Sequence, residues 1–308
     1  MKVVGGSDAT PEIRKLLARY ARNRDEDFQL VLIQYAMERL LYRICRSTHS
    51  ARFILKGAML FRVWTDQPQR PTRDLDLLGS GSAEVHDLET AFREICNTEV
   101  EDDGLIVLPE TVTAEEIREA QEYGGVRISM QMHLGKARII VRVDIGFGDA
   151  VTPEATKIIY PTLLDLPAPV MLAYPRETVV AEKLEALVRL GMINSRMKDF
   201  YDLWVFSKSF TFDGNILTDA IAATFKRRGT QIPKDLPIAF TSEFYDDDLK
   251  IQQWSAFLKK GTVPNSYHSL PDVILRLRNF LAPCLQAANE RRSFEMTWTE
   301  DGIWQPGI

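Results

Sequence analysis

Residues 53–78 read FILKGAMLFRVWTDQPQRPTRDLDLL, and the fold turns on this stretch. Phe53, Ile54 and Leu55 form a short apolar run that halts at Lys56-Gly57, and Ala58 to Trp64 then reads as the opening turns of a helix. Backbone amides at a helix N-terminus point outward and can receive phosphate. The second half opens with Arg70-Pro71-Thr72-Arg73 and then alternates Asp74, Leu75, Asp76, Leu77. Side chains on a strand alternate faces, so Asp74 and Asp76 point one way while Leu75 and Leu77 enter the core. Neighbouring carboxylates repel, and a divalent cation removes that cost. Mg²⁺ takes one or two carboxylates and fills its other positions with water and phosphate oxygens. A solvated turn is the plainer reading of Asp-x-Asp, and the strand–glycine–helix unit ahead of it favours the metal.

A third acid lies further on, in RIIVRVDIGFGD (138–149). Val141, Val143, Ile145 and Phe147 share one face of this strand, and Ile140, Arg142, Asp144 and Gly146 share the other. A carboxylate inside so apolar a run must be paired or bind a metal. Both readings of Asp144 stay open: a metal ligand, or a salt bridge to Arg142 or another nearby base.

Around these strands the chain is mostly helical. Residues 1–9 read as a loose lead-in, followed by a helix with Thr10 as cap and Pro11 and Glu12 in its first turn. A second helix spans about Asp27–Ser47, with Val31, Leu32, Tyr35, Ala36, Leu40 and Ile44 on its apolar stripe. Ala83–Asn97 is a third. EVEDDG (99–104) reads as a solvated acidic turn, and β-like text runs from there to Gly148, interrupted by a charged stretch, 114–123, that reads as a short helix. Five prolines between 149 and 175 suggest an extended crossing segment and a domain boundary. Glu177–Leu190 is a helix closed by Gly191. Ser195 is expected to cap the next, in which Asp199 and Asp202 share a face with Lys198 one turn from Asp202; an ordinary ion-paired helix is the plain reading there. Further stripes follow, the last running from Val273 to Leu281 and broken by Pro283. A mobile tail is expected from about 294.

Composition bounds the function. The chain has 308 residues, 45% of them hydrophobic and 26% charged, as in a soluble globular protein. No window approaches a membrane span, no signal-peptide core is read near Met1, and three scattered cysteines read as reduced thiols, so a cytoplasmic protein with no membrane partner is expected. The four histidines show no ligand spacing. A net charge of −5 is not that of a general nucleic-acid binder, though basic residues cluster locally, at Arg14–Arg24, Lys226–Arg228 and Arg291–Arg292, with Arg276 and Arg278 as further members of a candidate RNA-facing surface.

Laid out in order, Leu55-Lys56-Gly57, Arg70-x-Thr72-x-Asp74-Leu75-Asp76, Val143-Asp144, Glu182-Lys183-Leu184 and Arg196-Met197-Lys198-Asp199-Phe200-Tyr201-Asp202-Leu203 resemble the AbiEii/AbiGii group of nucleotidyltransferase toxins, within the DNA polymerase β-like superfamily. The likeness spans about residues 28–205. It implies an α+β fold: a nucleotidyltransferase-like mixed β-sheet lobe flanked by helices (1–175), then a mainly helical C-terminal lobe (176–308) contributing to the active site. It also implies a metal triad of Asp74, Asp76 and Asp144 holding Mg²⁺, or Mn²⁺, in a two-metal site. Lys183 would neutralise the triphosphate and Asp199 would act as base or positioner. Lys56, Gly57, Arg70, Thr72, Lys198 and Asp202 would complete the nucleotide side. One departure is Ala58, where the superfamily often carries a hydroxyl residue after the glycine.

The activity implied is a pyrophosphate-releasing, NTP-dependent nucleotidyltransferase acting as the toxin of a toxin–antitoxin pair. A cognate antitoxin is its expected partner, and an RNA acceptor, such as the 3′ end of tRNA, is the acceptor the resemblance allows. The alternatives are nucleotidylation of a protein or small molecule, of the antibiotic-modifying type, and a non-catalytic NTP-binding module.

Overall fold

The computed structural model describes residues 9–65, 72–117, 124–259 and 268–307. The chain divides into two compact units, the first being Met1–Gly148 with Thr156–Ala173, the second Asp149–Ala155 with Tyr174–Ile308.

The first unit begins with α1 (Thr10–Arg24) and α2 (Phe28–Arg46). Ala9, not Thr10, is the N-cap of α1; the Thr10 hydroxyl instead donates to the Gly104 carbonyl. Asp27 caps α2 by accepting the Leu30 amide at 3.0 Å, which satisfies one of the orphan donors of a helix start. From Met37 to Ile44 every residue of α2 is buried, charged ones included. Arg39 and Arg43 tolerate this because Asp103 lies between them, taking bonds of 3.1 Å from Arg39 Nε and 2.6 Å from Arg43 Nη1. The acidic turn is therefore not simply solvated. Asp103 is 2% exposed and pairs with both buried arginines of α2.

After β1 (Phe53–Lys56) come a 3₁₀ turn (Gly57–Leu60), the single-turn α3 (Phe61–Trp64), β2 (Asp74–Gly79) and α4 (Val85–Cys96). β3 (Ile106–Ile117), β4 (Gly125–Leu134) and β5 (Ala137–Phe147) form a meander. Residues 114–117, read from their charge as helix, are strand: Ala114 to Ile117 pair with Ile128 to Gly125 after a bulge. The proline-rich segment also holds structure missed by pattern. β6 (Thr156–Ile159) and β7 (Val170–Ala173) complete a seven-stranded mixed sheet of order β3-β4-β5-β2-β1-β7-β6. Each is four residues long, too short for alternation to stand out between prolines.

One face of this sheet is apolar. Leu75, Leu77, Ile128, Val141, Val143 and Ile145 are fully buried, and α2 and α4 pack on the sheet. The alternate residues of the same strands, Asp74, Asp76, Arg127, Arg142 and Asp144, occupy the other face.

The second unit is mainly helical: α5 (Arg176–Leu190), α6 (Met197–Ser209), β8 (Phe212–Asp213), α7 (Gly214–Arg227), the short α8 (Ser242–Tyr245), α9 (Asp248–Lys259), α10 (Leu270–Glu290), β9 (Met296–Trp298) and β10 (Trp304–Pro306). Two expectations fail here for one physical reason. α10 does not break at Pro283, and the segment after Phe294 is not a loose tail, since β9 pairs with both β8 and β10 and Trp298 is fully buried. A proline inside a helix lacks the N–H that would bond the carbonyl four residues earlier, here that of Asn279. The Trp304 indole N–H donates to that carbonyl at 3.1 Å and to the Phe280 carbonyl at 3.2 Å. The C-terminal hairpin thus satisfies the acceptor that Pro283 leaves behind.

Candidate active site

In the first unit the site is built by strand register. Asp76 of β2 lies opposite Asp144 of the parallel strand β5, and on its other side opposite Lys56 of β1. Arg127 of β4 lies opposite Asp144, and Glu115 of β3 opposite Arg127. A single row thus crosses five strands as Glu115, Arg127, Asp144, Asp76, Lys56, with the two adjacent acids flanked by cations. Asp74 sits two residues before Asp76 on the same face and opposite Arg142.

Asp144 does form a salt bridge, but to Arg127 rather than Arg142. Arg127 Nε and Nη2 meet Asp144 Oδ1 and Oδ2, each at 2.8 Å, a two-pronged guanidinium–carboxylate pair. That hydrogen bonding, with the charges of Asp144, Asp74 and Glu115, holds the Arg127 pKa above its usual value. Among the described residues, no group of three or more His, Cys, Asp or Glu side chains is disposed to hold a metal ion in this arrangement.

Gly57 ends β1 with φ +76°, and a Cβ there would fall inside the Asp76 side chain, 2.7 Å from Asp76 Cβ. Glycine lets the backbone turn left-handed and the Asp76 carboxylate lie against it. The following turn is 3₁₀, and α3 has only four residues, so a regular helix N-terminus facing phosphate is not built here; individual amides of 57–60 and Lys56 remain. Thr72 supports β2 through a 3.0 Å bond from its hydroxyl to the Asp74 carbonyl. Arg70 lies outside the described residues.

Behind that turn is a pocket lined by Gln34, Glu38, Ala58, Met59, Arg62, Thr72 and Tyr160 among others. Glu38 Oε2 accepts the Leu163 amide at 2.7 Å, while burial, only partly offset by that bond and by Arg39, pushes its pKa up to about 7. The sequence hides Glu38, because it falls within a helix read as core.

In the second unit, Lys183 of α5 reaches two acids of α6, at 2.6 Å from Asp199 Oδ1 and 2.8 Å from Asp202 Oδ2. Arg196 Nε bonds Asp199 Oδ2 at 2.7 Å. Asp199 is 1% exposed; burial alone would raise its pKa, but Lys183 and Arg196 outweigh that and hold it at about 2. The cation serving Asp202 therefore comes from α5, whereas Lys198 is exposed. Arg196 Nε, not a capping Ser195, secures the first turn, and the Arg196 amide donates to Asn194.

The neighbouring acids of α5 turn to another partner. Glu182 and Glu185 hold Arg228 at 3.3 and 2.9 Å, and Asp149 adds a contact at 3.7 Å. Arg276 is committed as well, donating to Ser207 and to the Glu300 carbonyl. Two members of the expected basic surface, Arg228 and Arg276, are thus partly buried and engaged within the second unit. Lys226, Arg227 and Arg278 are exposed, as are Arg14, Lys15, Arg19 and Arg22 along α1.

A mixed sheet with helices on its apolar face and acids on its polar face, followed in sequence by a mainly helical unit, defines a nucleotidyltransferase-like α+β protein. Residues 39–274 match the family described as "Nucleotidyl transferase AbiEii toxin, Type IV TA system". The chain belongs to this family, which makes it a transferase of the nucleotidyl class and implies an antitoxin partner. Two crystal structures from Helicobacter pylori are similar to it. JHP933 shares 14% identity over 86% of this chain and 94% of its own, and a candidate nucleotidyltransferase shares 14% over 86% and 96%; both give a TM-score of 0.49. A comparison with curated proteins finds no match. Among the described residues, no helix is long and apolar enough to cross a membrane.

Proposed function

We propose that this protein transfers a nucleotide from an NTP to an acceptor in a metal-dependent, pyrophosphate-releasing reaction in the cytoplasm, with an RNA end, such as the 3′ end of tRNA, as acceptor. The observation that carries this reading is the in-register pair Asp76–Asp144, with Asp74 on the same face and Gly57 shaped around the Asp76 carboxylate. Adjacent strands lie ~4.8 Å apart. Hard carboxylate oxygens at that spacing fit a Mg²⁺ or Mn²⁺ ion as donors. Held by Asp74, Asp76 and Asp144, divalent cations would supply Lewis-acid activation of the α-phosphate and stabilise the leaving pyrophosphate.

The chain's own groups do the rest. Lys56, one register step from Asp76, offsets phosphate charge, and the amides of 57–60 offer neutral donors. Asp199, anionic down to about pH 2, is a weak proton acceptor at neutral pH. Its role is to position Lys183 and Arg196 rather than to act as base. Lys183, Lys198 and Asp202 belong to the nucleotide-binding set on this reading, with Lys183 offsetting triphosphate charge. The RNA acceptor is supported by Lys15, Arg19 and Arg22, exposed at helical spacing on α1, where phosphate contacts would be salt-sensitive. Free, scattered Cys45, Cys96 and Cys284 suit a reducing compartment. The reading is tested by incubating the protein with each labelled NTP, Mg²⁺ and total cellular RNA; label that appears in protein or small molecules but never in RNA would overturn the acceptor assignment.

A further inference from the structure

Arg127 makes a close two-pronged contact on the carboxylate row. Both oxygens of Asp144 are taken by its guanidinium, at 2.8 Å each. The register explains why. Asp144 and Asp76 are adjacent like charges, and without a metal each needs a neighbouring cation, which the row supplies as Arg127 on one side and Lys56 on the other. A fork that engages one lone pair on each carboxylate oxygen weakens Asp144 as a donor to a metal shared with Asp76. The pair is not locked away, however, for the Arg127 side chain is 36% exposed and that of Asp144 24%. Arg127 can leave for solvent without burying an uncompensated charge.

We propose that Arg127 is a built-in counter-cation that occupies Asp144 in the metal-free protein and competes with the divalent cation for it. This rests on the reading of Asp76 and Asp144 as metal ligands. Metal loading is then an exchange, guanidinium out and cation in. The free protein keeps Asp144 paired with Arg127 while binding metal more weakly than its carboxylates alone would. Arg127 is a positioning residue in this scheme, acting through Asp144.

The test uses Mn²⁺ alone, with free ion counted by electron paramagnetic resonance, so that no turnover is needed. R127M removes the competing charge. R127K keeps a charge but cannot form the fork. Asp144→Asn and Asp76→Asn report on the site itself, and far-UV circular dichroism confirms that each variant is folded. R127M should bind Mn²⁺ about tenfold more tightly than the parent, the weight of one charge-assisted hydrogen bond, with R127K between them. Should R127M fail to fold, R127K alone must still show tightening. Unchanged or weaker Mn²⁺ binding in the Arg127 variants, with binding still lost in Asp76→Asn and Asp144→Asn, overturns the competition and leaves the metal site standing. Parent-like Mn²⁺ binding in both asparagine variants overturns the metal reading itself.

Discussion

Replacing Lys183 with methionine keeps the aliphatic stem and removes the ammonium that bridges α5 to Asp199 and Asp202 at 2.6 and 2.8 Å. Both acids are essentially fully buried. Removing one partner of a buried pair costs roughly 3–5 kcal/mol. Asp199 keeps Arg196 at 2.7 Å, which sets the expectation near the lower end, about 3 kcal/mol at pH 7. Linkage gives the pH dependence. The Asp199 pKa falls from 3.8 to about 2 on folding, so its ionised form contributes stability above pH 3.8 that is lost as pH drops through about 2. That difference corresponds to about 2–3 kcal/mol. In the variant, desolvation is no longer outweighed, the carboxyl takes up its proton at higher pH, and the deficit shrinks steadily from pH 7 to pH 4. Urea unfolding followed by tryptophan fluorescence reads the right part of the chain, because Trp204, Trp254, Trp298 and Trp304 all lie in the second unit. A deficit below about 1 kcal/mol, the value of an exposed pair, or one constant with pH, would refute the buried clamp.

Glu38 carries the opposite sign. Its folded pKa of about 7 exceeds the ordinary 4.5, so its contribution is complete below pH 4.5 and is lost as pH rises through 7. Glu38→Gln should therefore gain about 3 kcal/mol on the parent between pH 5 and pH 8, which calorimetry at the two pH values would show as diverging melting temperatures. Gly57→Ala sets a side chain at φ +76° against Asp76. It should cost about 1–2 kcal/mol in stability from the left-handed backbone alone, and displacement of the Asp76 carboxylate should suppress Mn²⁺ binding; an alanine variant that binds like the parent would show the close approach to be incidental.

What the sequence could carry was local. Period-two alternation placed Asp74 and Asp76 on one face and Leu75 and Leu77 in the core, and the apolar stripe of α2 was legible from its helical repeat. The partners of those residues were not, because they depend on register between distant strands. Arg127 alternates outward between Val126 and Ile128, so its face could be read, but its place opposite Asp144 could not. Asp103, buried by two arginines about 60 positions away, looked like any acid in an acidic turn. Arg228 looked like a surface base because its three carboxylates come from α5 and from Asp149. Pro283 read as a helix breaker because the group that rescues it, the Trp304 indole, lies in a segment with no pattern of its own.

The central claim is that the carboxylate row transfers nucleotides, and it is tested most directly by following α-labelled NTP into RNA with parent and Asp76→Ala protein side by side in Mg²⁺. The parent should incorporate label and release pyrophosphate. Asp76→Ala, its circular dichroism unchanged, should fall by at least about a hundredfold, and chelation of the metal should silence the parent. Transfer by Asp76→Ala at the parent's rate would contradict the account.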